Sequence, residues 1–314
     1  MVKQANALTT KTGTIYQAIS GFYYVWAEGE SYATKPRGNF RHQQMKPLVG
    51  DRVIFELDLE DTASQGRIIE ILPRENQLIR PAVVNVDYAL IVMSLVEPEF
   101  SYNLLDHFLV SVELYHIEPI IILTKYDLLL EQVPLAEAQA RIAQIRTVYQ
   151  QIGYRCLVLD DEVARLTEIK DLIEQGIYVV MGQSGVGKST LLNKLLPQAN
   201  IETGEISDYL NRGRHTTREV TLYRLGEGLL ADTPGFSALE FEEMDKEDLA
   251  QYFPEIWRAG EQCRFRSCLH QQEPGCHVKV EVEAGNIAES RYQNYCQLFT
   301  KITQRKPIYN KKKK

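Results

Sequence analysis

A glycine-rich segment that ends in a lysine and a hydroxyl residue lies beyond the midpoint of the 314-residue chain. Residues 182–189 read GQSGVGKS and match the pattern G-x-x-x-x-G-K-[ST] in full. Glycines let such a backbone wind tightly, so that its N–H groups face a phosphate at the N-terminus of a helix. Lys188 is expected to bridge the β- and γ-phosphates, and the Ser189 hydroxyl is expected to bind Mg²⁺. The predicted phosphate site comprises Gly182, Gln183, Ser184, Gly185, Val186, Gly187, Lys188, Ser189 and Thr190.

A second short motif, DTPG at 232–235, follows the apolar residues LLA and supplies the other side of a triphosphate site. An aspartate at the end of a strand can hold a water bound to Mg²⁺, and we assign this role to Asp232. Gly235 is spaced so that its N–H can meet the γ-phosphate. DTPG alone is a weak signal, but downstream of a phosphate loop it becomes a strong one.

The residues TKYD at 124–127 end a strongly apolar stretch and are typical of a motif that reads a base. The carboxylate of Asp127 can accept hydrogen bonds from the N1–H and N2–H₂ groups of guanine. Adenine presents an acceptor at N1, so the same carboxylate would stay unpaired, which favours guanine. Lys125 can lay its aliphatic stem over the base. The predicted base site is Thr124, Lys125, Tyr126 and Asp127.

The elements that must position these motifs alternate between strands and helices from residue 82 onward. Strands are predicted at 83–95, 119–127, 154–160 and 177–182, and helices at 101–117, 134–151, 163–175, 189–196 and 286–304. The acidic stretch 238–253 is also predicted to be helical. The alternation is typical of a mostly parallel sheet wrapped by helices, which is an α/β fold.

Residues 1–80 have a different pattern, with short strands separated by glycines. Strands within 14–27, 31–36, 51–57 and 66–72 predict a small barrel that resembles an OB-fold. Aromatic and basic side chains in this region suit RNA, although aromatic residues of a small barrel more often form its core. The residues concerned are Phe22, Tyr23, Tyr24, Trp26, Arg37, Arg41, His42 and Lys46.

Composition and charge exclude several classes of protein. With 44% hydrophobic and 25% charged residues the chain is not mostly disordered, and its apolar runs are too short for a membrane helix. No secretory signal is visible and five cysteines are too few for a disulfide scaffold, so we expect a cytoplasmic protein.

Net charge is −14 over residues 81–259 and +6 over 260–314. The C-terminal part therefore suits RNA phosphates better, although its final four lysines are equally consistent with a solubilising tail.

Three cysteines and one histidine lie close together in the C-terminal part of the sequence. Three thiolates and an imidazole form a closed tetrahedral Zn²⁺ site, which is structural rather than catalytic. Cys296 or His277 could replace one ligand, and free thiols in a reducing compartment are the alternative. The predicted ligands are Cys263, Cys268, His270 and Cys276. Basic residues near them are either phosphate contacts or a solvated face: Arg264, Arg266, Lys279 and Arg291.

The three nucleotide motifs occur in an unusual order, because TKYD precedes the phosphate loop. This order resembles that of the circularly permuted GTPases. With the barrel, RHTTR at 214–218 and C-x₄-C-x-H-x₅-C at 263–276, the chain is similar over nearly its whole length to the ribosome small-subunit-dependent GTPases of the RsgA/YjeQ type. In two places it departs from the usual GTPase pattern. Thr124 stands where most GTPases have asparagine, and the Ser-Ala pair that normally follows the next strand is absent, which leaves the backbone at 159–160 to reach the base.

The attacking water needs a residue that orients it. Phe236 follows Gly235 where Ras-like enzymes carry glutamine, and a phenyl ring cannot form a hydrogen bond to water. His215 is the candidate, and the resemblance implies the same role, while a loop histidine without a role is the alternative. The same segment offers Thr216 or Thr217 as a Mg²⁺ ligand, and Arg214 or Arg218 as an arginine finger or an RNA contact.

Residues and resemblance together predict three modules and one reaction. The modules are an OB-fold-like RNA- and ribosome-binding domain (1–80), a circularly permuted GTPase domain (81–240) and a zinc-binding helical domain (241–314). The reaction is hydrolysis of GTP to GDP and phosphate with Mg²⁺, in a chain that holds one structural Zn²⁺. The resemblance implies that the protein binds the maturing small ribosomal subunit and its rRNA and couples hydrolysis to its own release or that of another maturation factor. We also expect a monomer without membrane contact. The alternatives are a P-loop kinase of small molecules and an RNA-binding scaffold with a vestigial nucleotide site.

Overall fold

Five short strands close into a barrel at the N-terminal end of the computed structural model. They are β1 (Thr10–Ile19), β2 (Phe22–Ala27), β3 (Glu30–Pro36), β4 (Arg52–Leu57) and β5 (Gly66–Ile71). Pairing follows the order β1-β2-β3-β5-β4 and returns from β4 to β1, with β3 and β5 parallel and the other neighbours antiparallel. This closure confirms the predicted OB-like barrel. The structure describes residues 10–38, 40, 46–57, 65–79, 81–159, 163–173, 175–196, 220–226, 228–232 and 244–305.

Side chains of β2 alternate between the barrel core and the outer face, as expected for a strand with one buried side. Tyr23 and Val25 are buried, whereas Phe22, Tyr24 and Trp26 are half-buried on the opposite face. Tyr23 therefore belongs to the core, which was the alternative for the aromatic residues. The other three rings remain accessible on the outside of the barrel.

A mostly parallel sheet follows the barrel. A two-stranded pairing of β6 (Gln77–Leu78) with β7 (Val83–Val84) comes first, so the strand predicted at 83–95 begins later. The sheet consists of β8 (Tyr88–Ser94), β9 (Glu118–Thr124), β10 (Arg155–Val158), β11 (Ile177–Met181), β12 (Thr221–Leu225) and β13 (Gly228–Asp232). Their order is β10-β9-β8-β11-β13-β12, and only β12 runs antiparallel among these described strands. The strand β11 lies where the strand order reverses, which is the usual position for a ligand in an open α/β sheet.

Helices cover both faces of this sheet. They are α1 (Tyr102–Glu113), α2 (Tyr126–Gln132), α3 (Leu135–Ile152), α4 (Val163–Leu172) and α5 (Lys188–Leu195). Neighbouring residues of β9 belong to different cores, since Ile121 shares one with Phe108 of α1 and Ile122 shares another with Leu191 of α5. Burial on both faces explains the continuous apolar runs in the sequence and confirms the predicted α/β fold.

The C-terminal residues form a 3-10 turn (Leu249–Tyr252) and the helices α6 (Pro254–Gly260), α7 (His277–Glu283) and α8 (Glu289–Thr303). The helix predicted across 238–253 is wrong for the part that the structure describes. Pro254 forces Phe253 out of the helical region, to φ −124° and ψ 87°, and itself begins a new helix. The helix predicted at 286–304 is confirmed as α8.

A cluster of buried ion pairs joins the C-terminal helices to α1. Arg291 of α8 has no exposed surface and donates to Asp106 of α1 at 2.7 Å and to Glu255 of α6 at 2.6 Å. The Tyr149 hydroxyl and the Asn294 amide donate to the two carboxylate oxygens of Asp106 at 2.8 and 2.6 Å. The prediction that Arg291 meets phosphate or solvent is therefore wrong, because the side chain is buried against Asp106 and Glu255. The sequence does not reveal this contact, since Asp106 lies 185 positions away.

The barrel meets the rest of the chain at two places, along β1 and β12 and in a buried core where Phe55 belongs to the same cluster as Val83 and Ile91. Gln17 of β1 pairs antiparallel with Thr221 of β12. The Gln17 amide nitrogen also lies 3.4 Å from the Thr221 hydroxyl oxygen. This pairing makes the barrel strands and the sheet strands one continuous hydrogen-bonded order of eleven strands.

Candidate nucleotide and metal sites

The phosphate loop joins the end of β11 to the start of α5. Three of its glycines have positive φ, at 144° for Gly182, 80° for Gly185 and 95° for Gly187, a region that other residues rarely adopt. A Cβ atom placed on Gly182 would be 2.4 Å from the carbonyl oxygen of Val92 in β8. The glycines therefore permit both the tight winding and the close approach of the loop to the neighbouring strand.

The ammonium group of Lys188 lies inside this loop. It donates to the carbonyl oxygens of Gly182 at 2.8 Å and Gln183 at 2.6 Å. Burial lowers the pKa of Lys188 from its ordinary value of 10.5, because the charged form loses hydration. The loop thus places a partly desolvated cation among backbone groups, which is the arrangement that a phosphate needs.

Thr124, at the end of β9, connects the base motif to the phosphate loop. Its side chain is buried, and its hydroxyl lies 2.5 Å from the carbonyl oxygen of Val186 and 3.3 Å from that of Met93. A hydroxyl has one proton to donate, so the closer carbonyl is the main acceptor. The residue that departs from the usual asparagine therefore still holds the two motifs together.

Residues of the base motif and the phosphate loop line one cavity of about 200 Å³. Asp127 at the start of α2 faces it together with Gly187 and Leu159. The backbone N–H of Leu159 donates to the Leu123 carbonyl at 2.7 Å, so this N–H is used within the sheet. Residue 160 lies outside the described part. The full lining is Thr124, Lys125, Asp127, Leu159, Gly187, Thr190 and Lys194.

The lining of this cavity differs from the prediction at two residues. Tyr126 packs against the core beneath the sheet and is not among the lining residues in the described structure. Lys194 lines the cavity although the motifs do not include it. Its position four residues after Thr190 places it on the same face of α5, so helical spacing could have revealed it.

The loop between β8 and α1, residues 95–100, also contributes and was not predicted. Lys125, with φ 60°, donates from its ammonium group to the carbonyl oxygen of Glu97, and the Glu97 carboxylate accepts from Gln132 at 3.1 Å. A Cβ atom on Gly185 would lie 3.9 Å from Cδ of Pro98. This loop therefore lies between the base motif and the phosphate loop and supports both.

The predicted Mg²⁺ side of the site is described only in part. Ser189 lies in the first turn of α5, and Asp232 is the last residue of β13, next to β11 in the sheet. The carboxyl ends of neighbouring parallel strands meet at the same edge, so both residues belong to the edge that carries the phosphate loop. The other predicted residues of this side lie outside the described residues: Arg214, His215, Thr216, Thr217, Arg218, Gly235 and Phe236.

Four side chains converge in the C-terminal helical region. One ligand atom from each of Cys263, Cys268, His270 and Cys276 lies within 4.8 Å of the others. The Nδ1 atom of His270 is 3.6 Å from the Cys263 sulfur and 3.5 Å from the Cys276 sulfur, and these sulfurs are 4.0 Å apart. Bond lengths to Zn²⁺ imply tetrahedral edges of about 3.6 Å between N and S and about 3.8 Å between two sulfurs. The residues present therefore fit a Zn²⁺ ion.

The surroundings of the cluster support the same ligand set. The His277 N–H donates to the Cys263 sulfur at 3.3 Å, which helps to orient this sulfur toward the cluster. The hydroxyl groups of Tyr292 and Tyr295 donate to the backbone carbonyls of His270 and Leu269, respectively, at 2.7 and 2.9 Å, which fixes the loop.

The two alternative ligands have other partners. The imidazole of His277 lies 3.3 Å from Glu281, and the sulfur of Cys296 accepts from the Gln271 amide at 3.5 Å. Neither residue belongs to the group of four converging ligand atoms among the described residues. The geometry favours Cys263, Cys268, His270 and Cys276 over either exchange.

Residues predicted to meet RNA lie on two separate surfaces. The rings of Tyr24 and Trp26 face outward from the barrel, whereas Arg264 and Arg266 are exposed in the cysteine loop. The guanidinium of Arg264 is 5.4 Å from the ring centre of Phe265. The described helices include none that is both long enough and apolar enough to cross a bilayer. Three predicted regions lie outside the described residues: Arg41, His42 and 311–314.

Comparison with known proteins follows the same division of the chain. The model of the RsgA GTPase family matches residues 71–242, and that of the RsgA N-terminal domain matches residues 12–68. The small ribosomal subunit biogenesis GTPase RsgA of Enterococcus faecalis is 50% identical over 300 residues, which is 96% of this chain and 98% of the relative. The protein of the same name from Staphylococcus epidermidis is 48% identical over 299 residues, 95% of this chain and all of the relative.

Solved structures show the same similarity. YloQ, described as a circularly permuted GTPase, superposes with a TM-score of 0.82 at 39% identity and covers 98% of this chain and 100% of its own. YjeQ from Thermotoga maritima superposes with a TM-score of 0.79 at 33% identity and covers 95% of this chain and 100% of its own. The match to the GTPase family model spans more than half of the chain. This chain belongs to the RsgA family of circularly permuted GTPases, enzymes that bind GTP and GDP with Mg²⁺ and hydrolyse GTP.

Proposed function

We propose that this GTPase acts on the small ribosomal subunit during its late maturation, binds its rRNA, and couples GTP hydrolysis to its own release or that of another factor. The relatives from Enterococcus faecalis and Staphylococcus epidermidis are named for biogenesis of that subunit. This similarity over nearly the whole chain carries the ribosomal part of the proposal, and the cavity shared by Asp127, Gly187 and Thr190 carries the nucleotide part. A guanine and the phosphates attached to it require both halves of this cavity at once.

Guanine selection is assigned to Asp127, whose carboxylate would accept from N1–H and N2–H₂ of the base. Lys125 would cover one face of the base with its stem, and Leu159 supplies an apolar wall on the cavity. Thr124 would act indirectly, because its hydrogen bond to Val186 keeps the phosphate loop in register with the base motif. Tyr126 would contribute only indirectly, by packing against the core next to Asp127.

Binding of the phosphates is assigned to the backbone of residues 182–190 and to Lys188. The ammonium of Lys188, shared by two loop carbonyls, would turn to the β- and γ-phosphates. Mg²⁺, when bound by Ser189 directly and by Asp232 through water, supplies charge neutralisation on the phosphate oxygens. Gly235 would donate to the γ-phosphate, and Thr216 or Thr217 would complete the ligands.

The orienting group for the attacking water is assigned to His215. Its neutral imidazole can accept a proton from water near physiological pH. Phe236 lacks any group that could do so, which supports a histidine from the preceding segment. His215 would orient the water and accept its proton, and Lys188 would stabilise the developing charge.

One structural Zn²⁺ per chain is assigned to Cys263, Cys268, His270 and Cys276, since their ligand atoms have the spacing of a tetrahedral site. A site closed by four protein ligands has no open position for a substrate. The ion would therefore fix the loop that presents Arg264 to the outside.

The remaining assignments concern organisation and partners. We divide the chain into an RNA- and ribosome-binding barrel (1–80), the GTPase domain (81–240) and the zinc-binding domain (241–314). The outer rings of the barrel and the exposed arginines of the cysteine loop would contact rRNA. We further propose a cytoplasmic monomer, without membrane contact, that meets other maturation factors on the subunit.

The test is GTP turnover measured with and without purified small ribosomal subunits. The wild type is expected to turn over faster with subunits, whereas Lys188→Ala should lose turnover in both conditions. His215→Ala should keep GDP affinity and lose the turnover that subunits stimulate. Arg155→Ala, which removes an exposed ion pair with Glu118, is the control for a substitution without a role. Wild-type turnover that subunits leave unchanged would contradict the proposed function.

A further inference from the structure

The barrel contacts the GTPase sheet at a position that leads directly to the residue assigned to Mg²⁺. Gln17 of β1 pairs with Thr221 of β12, and Thr221 pairs in turn with Asp232 of β13. Neighbouring strands are about 4.8 Å apart, so the barrel strand lies about 10 Å from the backbone of Asp232. Only β12 therefore separates β1 from β13, whose end belongs to the edge of the sheet that carries the nucleotide motifs.

A second contact ties the barrel to the same strand. The guanidinium of Arg224, on β12, lies 5.0 Å from the ring centre of Trp26, on β2. Trp26 pairs with Thr14 of β1, so the arginine side chain extends across β1 to reach the tryptophan. We call the two contacts, Gln17 with Thr221 and Trp26 with Arg224, the barrel seam. The side chains of the barrel seam are half-buried or exposed, so a ligand can reach them, and the Nε atom of Arg224 donates to the Gly226 carbonyl at 2.9 Å.

Trp26 also belongs to an accessible group of rings. The ring centre of Tyr16 is 6.5 Å from that of Trp26 and 6.2 Å from that of Tyr24, and all three side chains are half-buried. The Tyr16 hydroxyl pairs with Ser31 at 2.8 Å, which gives the group a polar rim. Grouped rings next to an arginine suit an unpaired nucleotide, whose base stacks while its phosphate meets the guanidinium. The chemistry thus favours single-stranded RNA over an apolar protein segment.

We propose, on the basis of the function proposed above, that an unpaired RNA base on Tyr16, Tyr24 and Trp26 recruits Arg224 and so repositions β12 against β13. RNA on the barrel would then control the rate of GTP hydrolysis through the barrel seam. Arg224 is a positioning residue in this proposal, because it acts on the nucleotide edge through its strand. The surface that binds RNA and the edge that binds Mg²⁺ are thereby parts of one connected sheet.

The first test compares two substitutions that each remove one positive charge from a cation–π pair of the barrel. Arg224→Gln removes the pair at the seam, and Lys35→Gln removes the pair of Lys35 with Phe22, 4.5 Å apart, within the barrel itself. The readout is the ratio of GTP turnover with saturating purified small subunits to turnover without them. Coupling between sites is typically 5- to 150-fold, so the ratio for Arg224→Gln should fall about tenfold. The ratio for Lys35→Gln should stay at the wild-type value.

The outcomes separate this proposal from the function on which it rests. A wild-type ratio for Arg224→Gln at saturating subunits, with only a weaker affinity for them, would overturn the seam and leave Arg224 as a simple RNA contact. An equal fall for both variants would also overturn it, since general loss of charge would explain the effect. A wild type that subunits do not stimulate would instead contradict the proposed function.

A fluorescence experiment tests the occupant. The sequence has two tryptophans, and Trp257 is 49% exposed on α6, so Trp257→Phe leaves Trp26 as the reporter. Single-stranded oligoribonucleotides should quench its emission, because a stacked base contacts the indole. RNA should bind the GTP-analogue form and the GDP form with different affinities. The ratio of these two affinities should equal the factor by which RNA changes the ratio of GTP-analogue affinity to GDP affinity. Quenching by purified subunit proteins but not by RNA would overturn RNA as the occupant.

Discussion

The barrel seam and the contact between the C-terminal helical region and α1 are built in opposite ways. The C-terminal region is joined to α1 by Arg291, Asp106 and Glu255, and the first two have no exposed surface. The barrel seam consists of partly exposed groups, with a 3.4 Å hydrogen bond and a cation–π contact. Separation of a buried ion-pair cluster strands charges in a medium that hydrates them poorly. Separation of the barrel seam exposes groups that water can satisfy.

This difference assigns the two regions different mechanical roles. A contact that costs several kcal/mol to break holds its elements in one arrangement, whereas a weak contact permits two arrangements of similar free energy. The rigid contact lies on the side of the base motif, since α1 follows the loop that supports Lys125. The weak contact lies on the side of Asp232. We therefore expect the C-terminal region to move with the guanine site. Movement of the barrel against the Mg²⁺ edge should be confined to β1 and β12, because a buried core that includes Phe55, Val83 and Ile91 joins the barrel to the sheet elsewhere.

Among the tests of this comparison, metal removal should have the largest effect on the protein. Chelation is expected to release one Zn²⁺ per chain and to abolish hydrogen-exchange protection over residues 263–276, because structural Zn²⁺ binding carries about 10–16 kcal/mol in small domains. Helix α1 should keep its protection, since its contacts include Asp106 with Tyr149. Metal analysis with exchange mass spectrometry checks both points. A metal-free chain with full protection of the cysteine loop would contradict the assignment.

Arg291→Leu should destabilise the fold by about 3–5 kcal/mol, because it leaves Asp106 and Glu255 as buried charges without a partner. The matched control is Arg155→Leu, which breaks an ion pair of 2.7 Å with Glu118 whose side chains are 38% and 56% exposed. That exposed pair should contribute less than about 1 kcal/mol. Denaturant unfolding measures both, and similar losses for the two variants would remove the basis of the comparison.

Thr124→Val should have an intermediate effect, on nucleotide affinity. Removing the hydroxyl leaves the Val186 carbonyl without its buried donor, which costs about 1–3 kcal/mol and weakens GDP binding about tenfold. Thr124→Ser keeps the donor and serves as the control. Calorimetry with GDP and with xanthosine diphosphate checks the mechanism, because selectivity for guanine should not change. A change in selectivity would show that Thr124 contacts the base instead.

Gln17→Ala should have the smallest effect on stability. It removes a partly exposed hydrogen bond of 3.4 Å, so the free energy of unfolding should fall by about 0.5 kcal/mol. Stimulation of turnover by small subunits should nevertheless decrease, because the barrel seam is shortened. Parallel unfolding and turnover assays test the contrast. A loss of several kcal/mol would place the barrel seam in the same class as the Arg291 cluster.

The sequence predicted features that depend on local pattern. The phosphate loop, the base motif and the cluster of three cysteines and one histidine could be located because each has particular residue types at fixed spacing. The parallel sheet followed from apolar runs that are buried on two faces. These signals concern residues that are close together in the sequence or elements that are long and regular.

The features that the sequence missed depend on distant partners. Arg291 was placed among surface charges because its partner Asp106 belongs to another helix far along the chain. The hydrogen bond of Thr124 to Val186 and the support of Lys125 by Glu97 likewise join separate segments. The short 3-10 turn before Pro254 was not predicted. The acidic composition of this stretch favours a helix, but Pro254 disfavours the helical conformation of the residue before it.

Hydrogen exchange on the small subunit tests the division into a rigid and a responsive contact most directly. The chain bound to purified subunits is compared in the presence of GDP and of a non-hydrolysable GTP analogue. Protection should change in β1 and β12 and stay constant in α1 and α8. Constant protection along β1 and β12 together with a change at the α1–α8 contact would contradict the account.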